Sequence, residues 1–74
     1  MKLFQIMIEM KNSMVFFENA DTPDGVDKYV DEFADNPKAK SIKVYRFNEE
    51  TENYGLVHKS VKDDERRQVG FGRW

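Results

Sequence analysis

Thr22-Pro23-Asp24-Gly25-Val26-Asp27-Lys28-Tyr29-Val30-Asp31-Glu32-Phe33-Ala34-Asp35-Asn36-Pro37 holds a helix start, a helix stop and a helical period between them. The Thr22 hydroxyl can accept from a free backbone N–H of the first turn, which makes it an N-cap. Pro23 at the first helical position loses no intrahelical bond. Asp24 and Asp27 lie at the positive end of the helix dipole. Gly25 weakens the first turn by ~1 kcal/mol relative to Ala. Stepping at ~100° per residue places Val26, Tyr29, Val30, Phe33 and Ala34 on one arc. Asp24, Asp27, Asp31 and Asp35 fall on the other side. Pro37 restricts Asn36 and ends the ladder.

The flanks have a different period. Phe4, Ile6, Ile8 and Met10 alternate with a half-polar set, as in a strand covered on both sides. Lys11-Asn12-Ser13 is a turn. Met14 to Asn19 returns as the hairpin partner, with its inward face either Met14/Phe16 or Val15/Phe17, since a one-residue slip exchanges the two. After the helix, Ser41 to Phe47 alternates again, with Ile42 and Val44 on one face and Lys43, Tyr45 and Phe47 on the other. Asn48 to Asn53 is a polar turn, and Tyr54 to Val61 is the second hairpin partner.

The expected fold is therefore α+β, a two-layer ββαββ domain. A four-stranded, mostly antiparallel sheet carries one helix on one face. Residues 1–62 form this domain, and residues 63–74 form a charged, aromatic C-terminal tail. An interior first strand leaves two strand orders open, 2-1-3-4 and 2-1-4-3. The second is similar to that of small ubiquitin-like and immunoglobulin-binding domains, a likeness of topology that carries no function.

A chain of 74 residues has room for one modest core and a stability margin of a few kcal/mol. It has no cysteine, which removes disulfides and thiolate metal sites and fits a cytoplasmic setting. The N-terminal run, broken by Gln5 and Glu9, does not match a signal peptide, and no stretch matches the ~20 apolar residues of a membrane span. The net charge of −2 is unevenly spread. Residues 1–37 set three lysines against eight carboxylates, a balance of −5, and residues 38–74 set nine Lys and Arg against six, a balance of +3. Segregation of this kind bears on partners rather than on fold.

No constellation of catalytic chemistry stands out, so the expectation is a protein that is not an enzyme and takes no metal or cofactor. His58 is the lone histidine, with no ligand or nucleophile at motif spacing, and is expected on the outer face of the last strand. Asp21 to Gly25 lacks the alternating ligands of a calcium loop and is better read as the cap. Three surfaces remain. The Asp24, Asp27, Asp31, Asp35 stripe suits a basic protein surface, although charge on a solvated helix face is the plainer reading. In the tail, Arg66, Arg67, Phe71, Arg73 and Trp74 are residue types favoured at interface hot spots. The set Lys40, Lys43, Tyr45, Arg46 and Phe47 could form a nucleic-acid platform on a sheet face, set against the negative overall charge.

The leading expectation is a small, non-enzymatic protein-interaction module. It would be an inhibitor or modulator of a cellular macromolecule, of the kind bacteria and their viruses encode, binding through the acidic helix or the tail. Nucleic-acid binding is the second expectation. A homodimer through an exposed edge or sheet face is also open.

Overall fold

The computed structural model describes residues 3–62 and 68–72, with only the backbone considered for 68–71. The elements run β1 (Phe4–Met10), β2 (Val15–Ala20), α1 (Pro23–Asp35), β3 (Ala39–Asn48), β4 (Asn53–Lys62) and β5 (Gln68–Gly72). The ββαββ order and antiparallel sheet match the expectation. The strand order is β2-β1-β3-β4-β5, so the first of the two open arrangements is realised, with a further strand added at its end. That strand lies within the stretch read as tail.

The hairpin turn after β1 is tight. Ser13 takes φ of 72°, and the Asn12 side-chain oxygen accepts from the Met14 amide at 3.0 Å. The chain then crosses from β2 at the edge, through α1, to β3 on the far side of β1. Thr22 caps the helix as expected, its hydroxyl accepting from the Gly25 amide at 3.2 Å. Gly25 has a packing reason for its helix cost: a Cβ there would stand 3.1 Å from the Ala20 Cβ. The helix lies over β3, β1 and β2.

Register settles which side chains share a face. Phe4, Ile6 and Ile8 sit opposite Ala20, Glu18 and Phe16 of β2, and opposite Arg46, Val44 and Ile42 of β3. This is the face under the helix. Its core is Phe4, Ile6, Ala20, Val26, Phe33, Ala39, Ile42 and Val44. Ala34, read on the apolar arc, is exposed on the helix flank. The reverse face holds Val15, Phe17, Met7, Lys43, Tyr45 and Lys59, and no described element covers it.

Two β-bulges disturb the alternation, one at Glu9/Met10 and one between Val44 and Tyr45 in the pairing with β4. The second changes the parity of β4, since Val44 pairs with His58 while Tyr45 pairs with Leu56. His58 and Ser60 therefore turn under the sheet and are buried, which corrects the expectation of an outward-facing His58. An extra residue in one strand has this effect on everything beyond it.

Candidate functional site

Each face of the sheet presents a surface. On the helix side, a groove of about 340 Å³ opens between α1 and the edge strand β2. Its floor is Ile8, Met10, Phe16, Phe33 and Ala39, and its rim is Tyr29, Glu18, Glu32 and Asn36. Phe16 keeps 45% of its surface exposed here. Tyr29 stands at the mouth, its hydroxyl donating to the Glu18 carboxylate over 3.4 Å. The Glu18 charge, then partial burial, the hydrogen bond to Glu18 and the Glu32 charge hold the phenol above its ordinary pKa of 10.0. Above the rim, Asp24, Asp27, Asp31 and Asp35 are all exposed on the outer side of α1.

The helix ends with no basic residue in its last turn. The missing cation comes from β4. The Lys62 ammonium donates to the Phe33 and Asn36 carbonyls and stands 4.7 Å from the centre of the Phe33 ring. It is a second donor to two carbonyls that already accept the Asn36 and Ala39 amides, and it places a positive charge at the negative end of the dipole. Burial and the nearby Lys11 charge push Lys62 below the ordinary lysine pKa, with Asp35 acting the other way. Sequence reasoning missed this contact. Its one local trace is the absence of Lys or Arg from the last helical turn.

On the reverse face, Lys43, Tyr45 and Phe47 lie together as expected, each half-buried. Lys40 stands beside them, with its ammonium 3.6 Å from the Glu9 carboxylate. Arg46 does not join the set. It is opposite Phe4 on the other face and exposed near the end of the sheet, beside Leu3 and Glu49. The structure adds Phe17, Leu56 and Lys59, which the sequence had not singled out. Phe17 and Leu56 are 65% and 44% exposed. Phe47 packs edge-on against Tyr54, with ring centres 5.3 Å apart. Arg66, Arg67, Arg73 and Trp74 lie outside the described residues. Phe71 is described as β5 backbone opposite Lys59.

The buried His58 and Ser60 form a hydrogen-bonded pair, Nε2 to Oγ at 2.9 Å, with Nδ1 3.2 Å from the Gly72 carbonyl. A carbonyl only accepts, so Nδ1 donates to Gly72 and, in the neutral ring, Nε2 accepts from the Ser60 hydroxyl. A nucleophile and a base are thus in contact, but Ser60 is 2% exposed, leaving its hydroxyl out of reach of a substrate. The pair tethers β5 to β4. At its far end Gly72 has φ of +91°, and a Cβ there would lie 2.0 Å from the Val57 carbonyl oxygen, so only glycine fits.

Among the described residues no group of three His, Cys, Asp or Glu side chains could hold a metal ion, and no helix is long and apolar enough to cross a membrane. No protein-family model, curated protein or solved structure matches the chain. Function must therefore be argued from the two surfaces themselves.

Proposed function

We propose that this protein is a small, non-enzymatic interaction module that receives a basic, amphipathic segment of another protein. The segment seats apolar side chains in the groove between α1 and β2 and its cations along the helix. Such a module acts by occupying its partner, as an inhibitor or modulator does. One observation carries the reading: an apolar floor with the exposed Phe16 ring is bordered by Glu18 and Glu32, and the outer side of the same helix carries the exposed Asp stripe. Apolar anchors supply affinity, while the carboxylates steer encounter and exclude acidic competitors. The sequence had offered the stripe alone; the groove gives it an anchor.

Affinity capture with variants tests the proposal. A bound protein held by the native chain should be lost by Phe16→Ser and by the double change Asp31→Lys, Asp35→Lys, and kept by Phe17→Ser on the opposite face. Capture unaffected by the first two places the partner elsewhere and overturns the proposal. The charge reversals have a built-in control for folding. Asp27, Asp31 and Asp35 repel at four-residue spacing, each such pair costing ~0.2–0.5 kcal/mol. Asp31→Lys should therefore raise the midpoint of thermal unfolding slightly while abolishing capture. A lowered midpoint would mean that the stripe serves the fold.

A further inference from the structure

We propose that the reverse face of the sheet is a binding site for single-stranded nucleic acid, independent of the groove and formed by Lys43, Lys59, Phe17 and Tyr45. Register brings these residues together from three strands, across β1. Phe17 of β2, Met7 of β1, Lys43 of β3 and Lys59 of β4 form one straight row across the sheet. Tyr45 follows Lys43 along β3 on the same face.

The lysine pair is the first argument. Lys43 lies directly opposite Lys59, an arrangement of like charges that costs stability in an antiparallel pair. Among the described residues neither ammonium has a carboxylate at ion-pair distance; the Glu9 carboxylate on this face is engaged by Lys40. The face thus carries a local excess of two positive charges in a molecule of net charge −2. The acidic helix is on the far side of the sheet. Layers stack at ~10 Å, and the screening length in 0.1 M salt is also ~10 Å, so the helix repels a ligand on this face only weakly.

The aromatic side chains identify the anion. Phe17 is 65% exposed at one end of the row. Tyr45 lies ~6.7 Å along β3 from Lys43, which is two strand residues. A single strand matches both kinds of group, phosphate on ammonium and base on ring. A carboxylate-rich peptide would satisfy the lysines and leave the rings without a specific partner. A duplex has its bases stacked away from a flat sheet. A second copy packed face to face would bring four ammonium groups into one interface, with no carboxylate in either row to offset them.

Fluorescence anisotropy of a labelled oligothymidylate 12-mer with the full chain tests the site. Two phosphate contacts on a single strand give a slope of about −1.4 in log K against log salt. Affinity should therefore fall roughly sevenfold between 50 and 200 mM salt. Lys43→Gln with Lys59→Gln should flatten that slope. Phe17→Ser should weaken binding roughly tenfold and leave the slope unchanged, because stacking is not ionic. Phe17 is exposed, so its loss leaves the fold in place, and circular dichroism checks this. The proposal is overturned by no binding at 50 mM salt, by equal binding of the duplex, or by binding that ignores all three changes. It is also overturned if polyglutamate competes fully and Phe17→Ser has no effect, the outcome expected of an acidic-protein site. The groove variants Phe16→Ser and Asp31→Lys should bind the oligonucleotide as the native chain does, so the two proposals fail separately.

Discussion

Phe16 and Phe17 are chain neighbours on one edge strand, similarly apolar, and they serve opposite sides of the molecule. Phe16 faces the helix and forms part of the groove floor; Phe17 stands on the uncovered face, in line with Met7 and Lys43. The helix face has a core and is bordered by carboxylates. Among the described residues, the reverse face has no second layer and its Lys43 and Lys59 ammonium groups have no carboxylate at ion-pair distance. A sheet with one helix can bury only one of its sides, so the other is left to be explained by what it meets.

The sharpest way to break this comparison is to truncate one aromatic on each side. Phe33 is 2% exposed beneath the helix, and Phe33→Ala should cost ~3–5 kcal/mol. In a domain whose whole margin is a few kcal/mol, that leaves the chain largely unfolded at 25 °C by circular dichroism. Phe17→Ser should shift the unfolding midpoint very little, since surface changes usually stay within ~0.5 kcal/mol. If the two cost the same, Phe17 is part of a core and the reverse face is not a free surface.

The helix face was legible for a physical reason. Caps and a 3.6-residue period are local properties, so Thr22, Pro23, Val26 and Phe33 announced themselves. The ββαββ order followed from the two hairpin signals on either side. The strand order remained open because nothing local distinguishes β3 beside β1 from β4 beside β1. The site was legible only in part. The Asp stripe and the set Lys43, Tyr45, Phe47 came from counting along single elements. Phe17 and Lys59 join that set only through pairing across four strands. His58 was misplaced because the bulge beside Val44 shifts the parity of β4, which a strict alternation cannot detect. The strand β5 adds to β4 through Gly72, whose role rests on a positive φ and a close carbonyl, neither visible in a run of glycines and aromatics.

Lys62 gives the next effect in size. Lys62→Met keeps most of the apolar stem but leaves the Phe33 and Asn36 carbonyls without their cation. Loss of a charged hydrogen-bond donor at this site should cost ~1–2 kcal/mol. Denaturant unfolding of the variant should show a lower midpoint with an unchanged slope, since the surface exposed on unfolding is the same. Amide exchange should quicken in the last turn of α1 before the strands are affected. An unchanged midpoint would show the ammonium is dispensable, the Asn36 and Ala39 amides sufficing at the helix end.

The smallest effect reads the groove directly. The Glu18 charge, more than any other cause, holds the Tyr29 phenol above 10.0. In Glu18→Gln the ultraviolet titration assigned to Tyr29, by its loss in Tyr29→Phe, should move down towards 10.0; an unmoved midpoint would mean the carboxylate does not act on the phenol. The linkage sign follows. A phenol whose pKa is raised by folding contributes stability that is fully present below 10.0 and lost as pH rises through the higher folded value. The native chain should therefore lose stability over that alkaline window, and Glu18→Gln should lose less. The same phenol distinguishes the two faces. A basic segment seated in the groove changes both the charge and the burial around Tyr29 and should move its midpoint. A DNA strand on the reverse face lies across the sheet from Tyr29 and should leave it almost unmoved, so one titration, repeated with each ligand, assigns the surface each occupies.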